Sequence, residues 1–120
     1  MLARASDKLR VARLLLEGNA WSDAASRAYY AAFHAVSALH LAHGKTFSTH
    51  SQLIGVFNKD FVRTGRFPKE FTSALARLFE DRQSGDYDVL STLTEQDARQ
   101  DVDHAANIID TIQIYLKSNL

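Results

Sequence analysis

Residues 22–43 read SDAASRAYYAAFHAVSALHLAH, with alanines at 24, 28, 31, 35, 38 and 42. Their spacing of three and four draws one continuous small-residue stripe along an α-helix, which lets neighbouring helix axes approach toward the short end of the usual ~8–10 Å range. This segment is therefore the helix against which the others pack. Ser22 suits its N-cap, Asp23 favours the first turn, and Gly44 closes it.

Outward from this stretch the same period recurs. Residues 6–17 place Leu9, Ala12 and Leu16 on one side, with Val11 and Leu15 beside them and Gly18-Asn19 as the stop. A third helix begins near Thr49, carries Ile54, Phe57 and Phe61, and ends at Thr64-Gly65. A fourth opens with Pro68 at its first position, carries Phe71, Leu75 and Leu78, and frays near Gln83-Ser84-Gly85. The fifth starts after Thr94, with Glu95 and Asp97 at its positive end, and repeats Ala98, Val102, Ala105, Ile109, Ile112 and Leu116. One Pro and five Gly are the few breakers, and all but Gly55 fall at or near the ends of these stretches. The spacing predicts an all-α chain, an antiparallel up-and-down bundle of about five helices in one domain over 1–120.

Composition narrows the chemistry. Without cysteine the chain has no thiolate metal site, redox couple or thiol nucleophile, which suits a reducing cytoplasm. His34, His40 and His43 interrupt the richest apolar stretch, and no run approaches the roughly 20 residues of a membrane span. The formal charge is zero, but residues 1–79 hold 11 basic and 5 acidic side chains against 3 and 9 in residues 80–120. That weighs against a general nucleic-acid coat and leaves room for a local basic surface; the plainer alternative is attraction between the halves within one fold.

Three groups of polar residues stand out. Arg27, Tyr30, His34 and Ser37 share one face of the second helix and are candidate ligand contacts, or half-buried groups satisfied by neighbours. Arg82 prolongs the stripe of Phe71, Leu75 and Leu78, and a guanidinium there is paired internally or aimed at a cleft or subunit contact. Asp81, Asp86 and Asp88 are its acidic candidates, and Asp86 and Tyr87 gather with it around a helix end. His50 extends the stripe of Ile54, Phe57 and Phe61 and is either hydrogen-bonded structure or a proton acceptor. A di-iron centre would need two carboxylate-histidine pairs with further carboxylates, and only Asp101 and His104 come near, so no metal site is expected. No cofactor motif is present.

SRAYYAAFHAVSAL at 26–39, THSQLIGVFNKDFVRTGRFPKE at 49–70 and LFEDRQSGDYD at 78–88 together resemble the HEPN domain. The likeness is to its small stand-alone branch with S-R-x-Y-Y-A-x-F-H and R-x-x-x-D-Y motifs, related to HepT-type toxins, and spans nearly the whole chain in order. It implies a helical bundle that forms a homodimer, often with a minimal nucleotidyltransferase as partner. Many such proteins are metal-independent endoribonucleases whose Arg-x4-6-His motif forms a composite cleft across the dimer, the Arg steadying phosphate and the His moving protons. Here Arg82 is kept, and Tyr87, Asp88 and Val89 occupy the positions where the His would stand. A tyrosine with its ordinary pKa near ~10 donates a hydrogen bond at neutral pH but is a poor base.

Three readings follow. In the first, the chain is an RNase or toxin in which Arg82 binds the scissile phosphate, Tyr87 donates to it, and His50 or Asp86 accepts the proton. In the second, it is a non-catalytic module that binds a nucleotide or a nucleotidyltransferase partner through the same cleft. In the third, Arg82 and Asp86 form an internal ion pair and Tyr87 caps the core. HepT-type relatives further imply that the partner attaches AMP to a tyrosine in this region, which here would be Tyr87.

Overall fold

The computed structural model describes residues 2–87 and 93–119, with the side chains of all but 84–87 and 119. Among the described residues are five α-helices and no strand: α1 (Leu2–Glu17), α2 (Trp21–Ala42), α3 (His50–Phe57), α4 (Glu70–Tyr87) and α5 (Glu95–Asn119). A π-helical turn, Asn58–Val62, continues α3. The bundle is all-α, as the spacing predicts.

α2 is the central helix, packed against α1, α4 and α5. Ala24, Ala25, Ala28, Ala31, Ala32 and Ala35 are fully buried, and larger Val36, Leu39 and His40 take over toward the C-terminus, where Ala42 is exposed. Three neighbours need more of the circumference than one alanine stripe provides, so both flanks of α2 are buried. His40 Nε2 lies 3.0 Å from the Leu53 carbonyl oxygen and donates to it, tying α2 to α3.

The helix ends are set locally. After α1, Asn19 adopts φ 61°, its N–H bonds the Leu16 carbonyl and the Ala20 N–H bonds the Leu15 carbonyl, the pair that defines a Schellman motif. That motif places Ala20 at the N-cap of α2 without a side-chain cap, so the helix starts at Trp21 and Ser22 already lies inside it. Gly44 (φ 76°) repeats the arrangement after α2 with bonds to Leu41 and His40. α1 begins earlier than the expected Ser6 because fully buried Ala5 extends the stripe of Leu9 and Ala12.

The third helix is two pieces. Thr49 Oγ1 accepts from the Gln52 N–H, and the Arg63 N–H then bonds the Asn58 carbonyl at 2.8 Å, one residue wider than α-helical. This widening keeps Phe57 and Phe61 both buried and stacked with Phe67. Pro68 lies two residues before α4, its carbonyl accepting from the Phe71 N–H. α4 then continues through Gly85 to Tyr87 instead of fraying, since one Gly costs only about 1 kcal/mol in a helix. Thr94 and Asp97 exchange side-chain and backbone hydrogen bonds as a capping box for α5.

Among the described residues Leu14, Leu41 and Ile114 are the large apolar side chains left exposed. The apolar stripes close on one another within a single chain, so the dimer expectation draws no support from surplus apolar surface. No helix among the described residues is long and apolar enough to cross a membrane.

Candidate functional site

α4 carries the stripe of Phe71, Leu75 and Leu78 into the core, and the next position, Arg82, emerges half-buried against α2. Arg82 Nη2 donates to Tyr30 Oη at 2.5 Å. The guanidinium carbon lies 5.2 Å from the Tyr30 ring centroid and 5.9 Å from that of Tyr29, within cation–π range of both. A phenol and two ring faces orient the guanidinium.

His50, the first residue of α3, is brought to the other side of Tyr29. Its Nδ1 is hydrogen-bonded to the Tyr29 hydroxyl, and its ring packs on Tyr29, Phe33 and Phe79, at 4.6 Å from the Phe33 centroid. Burial raises the Tyr29 phenol well above its ordinary pKa, more than Arg82 lowers it, so the hydroxyl stays protonated. Burial, with the Arg82 charge added, holds His50 below the usual histidine value, so the imidazole is neutral near pH 7. A phenol both donates and accepts, so this contact accommodates either neutral tautomer. When Nδ1–H donates to Tyr29, Nε2 keeps the lone pair a general base requires.

The other expected contacts lie on the α1–α2 side. Exposed Arg27 and half-buried Tyr30 and His34 line an open groove of about 520 Å³ with Lys8, Ser26 and Phe33. His34 packs edge-on against Phe33. Tyr30 and Phe33 are the common wall between this groove and the Arg82–His50 pair.

One turn back along α4 is a second charged cluster. Arg77 Nε donates to Asp81 at 3.2 Å and Nη2 to Asp97 at 2.7 Å, joining α4 to the start of α5. Asp101 is fully buried beside Asp81, and its pKa is pushed up to about 9, by burial first and then by a hydrogen bond to Asp81 and that carboxylate's charge. Burial and the neighbouring carboxylate both favour the protonated form of Asp101.

The Asp86 and Tyr87 side chains, and with them the internal ion pair, the cap on the core and the AMP-acceptor expectation, lie outside the described residues. The sequence reading missed Tyr29 as a site residue, although it stands next to Tyr30; adjacent residues on a helix point about 100° apart, so only packing shows that both reach Arg82. It also missed Lys8, whose charge on an amphipathic helix has no signature of its own.

The chain is similar to known proteins over most of its length. The family profile of the HEPN domain matches residues 1–115. A protein of Thermotoga maritima named UPF0332 protein is 40% identical over 110 residues, which cover 92% of this chain and 83% of that one. A Methanocaldococcus jannaschii protein named "Putative toxin MJ0605" is 30% identical over 116 residues, covering 97% and 86%. The crystal structure of TT1696 from Thermus thermophilus superposes with a TM-score of 0.80 over 93% of this chain and 92% of that one; at 24% identity the likeness is one of fold.

Proposed function

This chain belongs to the HEPN domain family, and from that premise we propose that it binds the phosphate of RNA at Arg82 and cleaves the strand there, as the toxin-like half of a nucleotidyltransferase–HEPN pair in the cytoplasm. The observation that carries the proposal is that Arg82 and neutral His50 flank the same tyrosine, Tyr29. Arg82 donates to the phosphate oxygens as their charge grows, and His50 Nε2 takes the proton of the 2′-hydroxyl. The 2′-oxygen attacks the adjacent phosphorus, the 5′-oxygen leaves and is protonated by solvent, and a cyclic phosphate remains. Tyr87 is the further donor and Asp86 the alternative proton acceptor. A homodimer would bring two such sites to one cleft, as the family resemblance implies.

Because Arg82 supplies the cation and His50 the base, this step calls for no metal. Purified protein incubated with bulk RNA should give cyclic-phosphate ends equally with and without chelator, and Arg82→Ala should lose most of them. Cleavage abolished by chelator, or an Arg82→Ala protein as active as its parent, overturns the proposal.

A second reading is a non-catalytic module that binds a nucleotide or the nucleotidyltransferase through the same cleft. It is favoured by the sequence itself, which has Tyr87 where the family's motif His would be. RNA left intact while nucleotide or partner binding is lost in Arg82→Ala would select it.

A further inference from the structure

The α1–α2 groove continues past its own rim. A second open concavity of about 410 Å³ shares Lys8 and His34 with it and adds Ala3, Arg4 and Asp7. Asp7 is engaged by Arg10 at 2.8 Å. Arg4, Lys8 and Arg27, by contrast, have no ion-pair partner among the described residues. Three uncompensated cations therefore border one continuous surface, and the aromatic rings of Tyr30, Phe33 and His34 lie along it. At its inner wall Tyr30 accepts the hydrogen bond from Arg82 and Phe33 packs on His50.

We infer that this face is a track for single-stranded RNA, with Arg4, Lys8 and Arg27 as phosphate contacts that lead the strand past Tyr30 to Arg82. The inference rests on the proposed RNA reading and extends it to α1, away from the cleft motif. Phosphates spaced along a backbone match cations spaced along a groove, and ring faces between cations offer stacking to unpaired bases, which a duplex hides. The field is visible at His34: burial first, then Lys8 and Arg4, hold its pKa below the usual value. A second copy of the chain is a poor occupant, because a two-fold contact here would set Arg4, Lys8 and Arg27 against their own counterparts.

The test is fluorescence anisotropy with a labelled single-stranded oligouridylate across a salt series, using the full chain. Lys8→Glu combined with Arg27→Glu should weaken binding about ten-fold at low salt. Two lost phosphate contacts should also lower the salt slope by about 1.4, at ~0.7 each. Circular dichroism checks the fold, and Lys8→Gln with Arg27→Gln repeats the measurement without charge reversal. The His34 ring resonances should titrate at higher pH when the oligouridylate is bound. Unchanged affinity and slope in both double variants, equal affinity for duplex RNA, or no binding by the parent protein each overturns the track. So does a double variant that dissociates a dimer, which would make the face an interface between copies. The cleft is judged separately: Arg82→Ala should lower cleavage roughly ten- to a hundred-fold while keeping most of the binding and its salt slope, whereas an Arg82→Ala protein as active as its parent defeats the cleavage reading and leaves the track's own measurements standing.

Discussion

Arg77 and Arg82 stand five positions apart on α4 and meet different kinds of partner. Arg77 is held by the carboxylates of Asp81 and Asp97, so its charge is matched and its work is to fasten α4 to α5. Arg82 meets the Tyr30 hydroxyl and the faces of Tyr29 and Tyr30, contacts that fix its direction. The lesson is that a guanidinium's partners shape its role: the carboxylates make Arg77 a strut between helices, and the phenols and ring faces aim Arg82. The histidines divide in the same way. His40 gives its Nε2–H to a buried carbonyl, whereas His50 is set beside a tyrosine that can take either end of its proton.

The largest effect that would break this contrast is at His50. If it is the base, His50→Ala should lower RNA cleavage by roughly 10²–10⁴-fold. Its depressed pKa should also keep the acid limb of the parent's pH–rate profile below the ordinary histidine value of 6.5. Loss of less than ten-fold would move the proton acceptor to Asp86.

Arg82→Ala comes next, at roughly ten- to a hundred-fold in cleavage, the worth of a charge-assisted contact of ~1.5–3 kcal/mol. Arg77→Ala should do the reverse, lowering thermal stability while cleavage by the folded protein stays near the parent's. Equal effects of the two variants on cleavage would erase the distinction between strut and aimed cation.

The acid cluster makes a stability prediction with a definite sign. The folded state holds a proton on Asp101 up to about pH 9, whereas the unfolded chain releases it near the ordinary 3.8. Between those values the native state binds more protons, so this group lowers stability as pH rises, by at most about 1.4 kcal/mol per pH unit. Asp101→Asn keeps the neutral form at every pH. In urea titrations the variant should therefore gain on its parent from pH 5 to pH 8, and parallel curves would show that Asp101 is ionised throughout.

Tyr30→Phe is the smallest. It keeps the ring under Arg82 and removes the hydroxyl, so cleavage should fall only a few-fold, in line with ~0.5–1.5 kcal/mol for one hydrogen bond. A loss as deep as that of Arg82→Ala would mean that the hydroxyl acts in the reaction.

The sequence by itself determined the helices, because their signals are local: apolar period, left-handed stops at Asn19 and Gly44, and the capping box of Thr94 and Asp97 concern residues within one turn. It also carried the family motifs and singled out Arg82 and His50 as residues that prolong apolar stripes. Tertiary structure alone decided which groups meet. Tyr29 and Tyr30 on α2, His50 on α3 and Arg82 on α4 converge because α2 is buried by several neighbours at once, and sequence spacing holds no term for the rotation of one helix against another. The same packing put Asp101, which alternates with the apolar residues of α5, wholly inside against Asp81, where its environment and not its residue type sets its charge. It likewise set Lys8 of α1 across a groove from Arg27 of α2. Contacts between residues far apart in the chain follow from how whole faces fit together, so they exist only once the bundle has closed.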